Sequence, residues 1–205
     1  MPEPVVRVCR IAEVPRDPGL LTEAEVRRVR RLVHRADREA YRAAHVLARL
    51  VAAELAGVAA ASVVLVQRCP SCGATDHGRP AVAGMPHVHV SLSHTRGVVA
   101  AVAATTVCGI DAETVRARVP VEALTDRERR WVARQPDPGT ASVALWVRKE
   151  AWAKASGEGL DQAMSRDVLD AGWLTGEVST AEYAAAWVVL ADTTPAPASV
   201  GADPR

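Results

Sequence analysis

Gly109-Ile110-Asp111-Ala112-Glu113 closes an apolar run that begins near Val107. The run reads as a β-strand, and side chains on a strand alternate between faces. Asp111 and Glu113 therefore project to one side, two rises or roughly 7 Å apart. Ile110 and Ala112 point the other way, into a core. Two carboxylates side by side repel unless something positive sits between them. Mg²⁺ suits such a pair, because it prefers hard oxygen ligands and takes one or two protein carboxylates together with substrate phosphates. An acidic strand end facing solvent would show the same pattern, so the motif needs a second stretch to decide it.

That stretch is Trp146-Val147-Arg148-Lys149-Glu150-Ala151-Trp152-Ala153-Lys154-Ala155-Ser156-Gly157. It reads as a helix closed by Gly157, the residue that best accepts the left-handed conformation at a helix end. Glu150 and Lys154 are four apart and share a face. Lys149 and Lys154 are the only lysines among 25 basic Lys and Arg side chains. An ammonium is a compact point charge suited to phosphate oxygens, whereas Arg is a planar fork. An exposed Glu–Lys helix pair is the bland alternative, common and weak.

The chain has 205 residues, enough for one large domain or two small ones. Phe is absent and aromatics make up 3%, so the core must be packed from Ala and Val. A formal net charge of +1 implies no nucleic-acid or membrane partner. The opening Met1-Pro2-Glu3-Pro4 has neither a basic nor an apolar signal-peptide region, and no apolar stretch is long enough to span a bilayer. Four cysteines in that context suggest a reducing cytosol, so a cytoplasmic monomer is expected.

Taken in order, Val5 to Ile11 predicts a first strand. Thr22 and Glu25 form a capping box opening a helix to about His34. It carries Arg27, Arg28, Arg30 and Arg31, with Arg35 beyond, a cluster that is either a solvated face or an anion site. Asp37 is expected to cap a longer helix ending at Gly57, with Tyr41, Ala44, Ala48, Val51 and Leu55 facing a core. Val63 to Gln67 reads as a strand and Arg68 to Pro86 as a loop. Cys69-Pro70-Ser71-Cys72-Gly73 in that loop is half of a zinc-ribbon ligand set, with His77 a possible third ligand. A tight turn with two reduced thiols fits as well.

His87 to His94 alternates: Val88, Val90 and Leu92 on one side, His87, His89, Ser91 and Ser93 on the other. Val98 to Ala104 predicts a buried strand, and Val107 to Glu113 is expected to return beside it in a β-meander. Thr125 and Glu128 form a second capping box, Gln135 to Thr140 a loop, and Val188 to Leu190 a final strand. Thr193 to Arg205 reads as a disordered tail.

Three stretches in order, Ser91-Leu92-Ser93-His94-Thr95, Gly109-Ile110-Asp111-Ala112-Glu113 and Trp146 to Ala155, resemble the 4′-phosphopantetheinyl transferases of the broad-range, surfactin-synthetase-activating type. Gly78-Arg79-Pro80 resembles a further family element. Thr95 stands where the family has a second Ser, and no Phe precedes the Ser-His pair. The resemblance spans roughly residues 25 to 190. It implies an α+β fold of two similar α/β halves related by a pseudo-twofold, each a small antiparallel sheet packed with helices, with the active site at their interface. The halves are expected at 1–106 and 107–192, with 193–205 as tail.

The resemblance further implies transfer of the phosphopantetheine arm of coenzyme A to a serine of an apo acyl or peptidyl carrier protein, releasing 3′,5′-ADP, with Mg²⁺. Asp111, Glu113 and Glu150 would bind the metal. Glu150 would take the serine proton, and Lys154 would serve the diphosphate. His94, beside Ser93, would meet the 3′-phosphate, Arg79 the adenosine end, and Arg31 and Arg35 the 3′-phosphate region. His94 capping a turn is the plain alternative. Phosphoryl transfer rests on positioning and charge neutralisation, which suits this set.

The carrier is expected to be acidic, steered by Arg116, Arg118, Arg127, Arg129 and Arg130. Fatty-acid, polyketide and peptide synthase carriers all fit. Two rival readings use the same residues differently. One is a Mg²⁺-dependent phosphohydrolase built on the three carboxylates; the other is a zinc-stabilised binding module on Cys69, Cys72 and His77.

Overall fold

Every residue from Val98 to Ala104 is buried, on both faces of the strand it forms. Small β-branched and Ala side chains make this possible, because layers can close on both sides of them. The structure, a computed structural model, describes residues 2–16, 19–68, 73, 78–170, 172–173 and 175–191. The Cys69, Cys72 and His77 set and the tail 193–205 lie outside the described residues.

Two antiparallel sheets stack face to face. The first holds β1 (Val5–Arg10), β2 (Leu65–Arg68), β3 (Arg79–Val82), β4 (His89–His94) and β5 (Val98–Ala104), in the order β1-β5-β4-β3-β2. The second holds β6 (Cys108–Thr114), β7 (Gly176–Ser179) and β8 (Tyr183–Val189), in the order β6-β8-β7. Between them pack Val98, Ala100, Val102 and Ala104 of β5 against Cys108, Ile110 and Ala112 of β6.

A helix backs each outer face. α1 (Glu23–Arg31) leads into α2 (Arg35–Ala56), whose Ala44, Ala48, Val51 and Ala52 bury against the first sheet. α3 (Asp126–Val132) precedes α4 (Pro138–Ser156), whose Val143, Val147, Ala151 and Ala155 bury against β8. The short α5 (Leu160–Ser165) follows. The result is an α+β arrangement of four layers, helix–sheet–sheet–helix. Among the described residues no helix is long and apolar enough to cross a membrane.

Both capping boxes form as expected. Thr22 and Thr125 accept from the backbone N–H of Glu25 and Glu128, whose carboxylates reach back. Gly57 and Gly157 end α2 and α4 in the left-handed conformation, at φ 66° and 75°.

Several expectations fail. The meander stops at β5: β6 leaves that sheet and pairs with β8, Cys108 to Val189 through Thr114 to Tyr183. Its partner lies far along the chain, so no local pattern could announce it. Asp37 does not cap α2; His34 holds that position and Asp37 sits in the first turn, where its charge suits the helix dipole. α1 ends at Arg31, short of His34. The loop through Pro86 contains β3, hidden by Pro80, which meets its neighbour β4 through one bridge, Ala81 to His89. α4 starts at Pro138, capped by Asp137, because Pro is well suited to the first helical turn.

Candidate active site

The two sheets are joined by a row of side chains. Ser91 and Ser93 point from β4 toward β6 and are buried, not half exposed as their alternation suggests. The Ser91 hydroxyl accepts from Ile110 N–H at 3.2 Å, and the Ser93 hydroxyl accepts from Ala112 N–H at 3.3 Å. Ser93 also donates to Asp111 Oδ1 at 2.7 Å. Just past the end of β4, Thr95 donates to Glu113 Oε2 at 3.0 Å. Ser93 thus orients Asp111.

α4 supplies the opposite wall. A Cβ on Gly109 would lie 2.2 Å from Ala151 O and 2.5 Å from Ala155 N, so the helix backbone rides directly on the strand. That contact brings Lys154 to Asp111, Nζ to Oδ1 at 2.6 Å, with a second bond to Ile110 O at 3.1 Å. Glu150, one turn earlier, lies near enough for its carboxyl to feel the charges of Asp111, Lys154 and Glu113. Burial pushes the Glu150 carboxyl above its ordinary pKa, and the charges of Asp111 and Glu113 push it further. Glu113 is raised as well, chiefly by burial and then by Asp111, against the bonds from Thr95 and Thr114 N–H. Two separate segments therefore deliver three mutually repelling carboxylates and one ammonium to one spot.

Among the described residues no three His, Cys, Asp or Glu side chains form a ready ligand shell. Lys154 holds one oxygen of Asp111 instead. The donor chemistry still suits a hard divalent cation: three carboxylates, two of them with pKa raised first by burial and then by their neighbours' negative charge.

His94 ends β4 near this wall. Its pKa is lowered, first by desolvation and then by His45 and Lys154, against Asp37 and Asp111. Arg79 crosses from β3 to the end of α4, where Nη2 donates to Lys154 O at 2.6 Å and Ala155 O at 2.8 Å. It caps carbonyls that a helix end leaves open. Arg31 is exposed at the last turn of α1. Arg35 is exposed, bonds Glu39 at 2.8 Å and lines a cavity of about 850 Å³ with Arg10, Arg16, Arg38 and Arg42. Asp37, two residues on, favours the charged form of His94.

Lys149 does not share the role of Lys154. It is fully buried, paired with Glu128 at 2.9 Å, and it donates to Met164 O and Arg166 O. Arg127 and Arg129 are similarly engaged, Arg127 with Asp167 and Asp170, Arg129 with Asp126. Arg116, Arg118 and Arg130 are exposed. Sequence reasoning missed what Ser91 and Thr95 do; their two-residue spacing with Ser93 is the available signal. Tyr41 reads from helical spacing as a core residue alone, yet its ring touches both His45 and His94. The scarcity of aromatics in the chain is the signal that marks it out.

Carboxylates, an ammonium and an imidazole thus lie close together where the two sheets meet. The family model described as the 4′-phosphopantetheinyl transferase superfamily matches residues 107–195, a little under half of the chain. Over that segment the chain is similar to that superfamily. The matched segment contains Asp111, Glu113, Glu150 and Lys154. No curated protein matches the chain.

Proposed function

We propose that this protein is a holo-carrier-protein synthase of the broad-range type, moving the 4′-phosphopantetheine arm of coenzyme A to a carrier serine. The observation that carries the reading is the convergence of Asp111 and Glu113 from β6 with Glu150 and Lys154 from α4. The two halves, 1–106 and 107–192, would be related by a pseudo-twofold with this spot between them.

Asp111, Glu113 and Glu150 would hold Mg²⁺. When bound, the ion neutralises charge on the diphosphate and on the oxygen that leaves. Lys154 donates to the diphosphate, its ammonium already poised at Asp111. Ser93 and Thr95 fix the orientation of Asp111 and Glu113. Glu150 accepts the proton of the carrier serine, a task that needs a carboxylate within hydrogen-bond reach of the hydroxyl. The serine Oγ–P bond forms, the P–O bond to 3′,5′-ADP breaks, and the electron pair departs with that product. His94, with Arg31 and Arg79, receives the adenosine 3′-phosphate end. Arg116, Arg118 and Arg130 offer charge to an acidic carrier.

The test is direct. The protein is incubated with an apo-carrier, coenzyme A and Mg²⁺, and the carrier is weighed by intact mass spectrometry. A mass gain of one phosphopantetheine arm, lost when Mg²⁺ is chelated, is expected. Cleaved coenzyme A with an unmodified carrier would overturn the reading in favour of a phosphohydrolase. One equivalent of zinc with no turnover would favour the binding module.

A further inference from the structure

Inside the first half lies a buried ionic cluster that the transfer chemistry does not use. Glu25 projects from α1 into the groove against α2. Its carboxylate meets His45 Nδ1 at 2.6 Å and Arg49 at 2.6 and 3.0 Å. Exposure is 7% for Glu25, 3% for His45 and none for Arg49. Arg49 also donates to His45 O, yet its Nε is buried with no partner among the described residues. Removing three such groups from water is costly, and an apolar cluster of the same volume often serves stability equally well. Glu25 and Val29 are the only buried residues of α1, so the cluster is what docks that arginine-rich helix.

The cluster does not end at His45. The Tyr41 ring stacks on His45, centroids 4.0 Å apart. Tyr41 also meets the edge of His94 at 6.1 Å and 68°. A continuous chain of contacts thus runs from α1 through α2 to the end of β4.

We propose that Glu25, Arg49, His45 and Tyr41 form a brace that fixes the His94 imidazole and seats the basic helix α1 beside it. They are positioning residues. The proposal rests on the reading above for what His94 then meets, the 3′-phosphate of coenzyme A. A brace explains why the cluster is ionic: bidentate Arg and a stacked His set direction as well as distance, which aliphatic packing does not. The electrostatics agree: burial first and then His45 lower the His94 pKa, and burial first and then Glu25 raise that of Tyr41, so both rings feel the cluster.

Three measurements test it. In the wild-type protein, proton NMR should show nuclear Overhauser contacts between the Tyr41 and His94 rings; their absence overturns the brace whatever the enzyme does. In Tyr41→Leu the His94 ring signals should shift and broaden, while Tyr41→Phe should leave them as in wild type. In the transfer assay, Tyr41→Leu should raise KM for coenzyme A about tenfold with kcat unchanged. KM for coenzyme A lacking its 3′-phosphate should not move, and Tyr41→Phe should restore wild-type values.

Equal losses in Tyr41→Phe would make the hydroxyl a ligand contact and sink the brace. Equal losses with both substrates would make the effect merely structural and sink it too. NMR contacts without any transfer by wild type would instead refute the transferase reading and leave the brace standing.

Discussion

Gly109→Ala adds one methyl group where α4 touches β6. The new Cβ would face Ala151 O at 2.2 Å and Ala155 N at 2.5 Å. Both are main-chain atoms, so no rotamer change relieves the clash. Ordinary contact begins near 3.4 Å, and α4 must therefore retreat by about 1 Å. Glu150 and Lys154 ride on that helix, while Asp111 stays on the strand. The 2.6 Å bond between Lys154 and Asp111 would open, and the third carboxylate would leave its place. A misplacement of about 1 Å costs on the order of 10²-fold in rate. Overpacking of this kind costs about 1–3 kcal/mol, and each kcal/mol lowers Tm by about 2–4 °C for a chain of this size. Transfer rate by carrier mass, Mg²⁺ binding by calorimetry and a circular-dichroism melt would be measured on one preparation. The expected variant is folded, modestly less stable, about a hundredfold slower and weaker for Mg²⁺. A variant with wild-type rate and wild-type Mg²⁺ binding would refute the claim that this contact sets the site.

Other outcomes follow from single residues. Glu128→Gln leaves the fully buried Lys149 without its counter-charge and should cost about 3–5 kcal/mol, read as a fall in Tm with site geometry unaffected in the folded fraction. Glu25 is pushed up by burial, but bonds from His45, Arg49 and Thr22 N–H outweigh this and hold its pKa at about 2, against 4.5 ordinarily. A depressed pKa means stability that is present above about pH 4.5 and lost as pH falls toward 2, roughly 3 kcal/mol in all; a ¹³C carboxyl titration of Glu25 with a midpoint near 4.5 would contradict it. Charge reversal at Arg116 and Arg118 together should raise KM for an acidic carrier and leave KM for coenzyme A alone; the opposite split in steady-state kinetics would remove them from the docking surface.

How much of the molecule is legible in its sequence depends on range. Thr22 with Glu25, Thr125 with Glu128, and the stops at Gly57 and Gly157 are local signals, and all four appear where the sequence puts them. The core-facing positions Ala44, Ala48 and Val51 follow from helical spacing alone. Partnerships at long range are not legible. Glu128 announces itself as a capping residue, but nothing near it says that the same carboxylate holds Lys149 and Val168 N–H. Lys149 and Lys154 look equivalent in sequence, and α4 is apolar on more than one face, so periodicity cannot say which one turns inward. The three carboxylates stand out in the sequence because each sits in a motif. The hydroxyls that orient them are not, because a serine on a strand carries no mark of what it bonds.

The row formed by Ser91 and Ser93 has one more implication, for how the chain reaches its native pairing. Both hydroxyls must land opposite β6 while Val90 and Leu92 face α2. A one-residue slip of β4 along β5 would turn the serines into an aliphatic layer and present Val and Leu to the carboxylates. Such a misaligned hairpin loses apolar burial, backbone partners for β6 and the tether on Asp111 in a single stroke. Proofreading of the strand alignment and assembly of the acidic cluster are therefore one event, so a protein that has folded wrongly here would also lack the cluster.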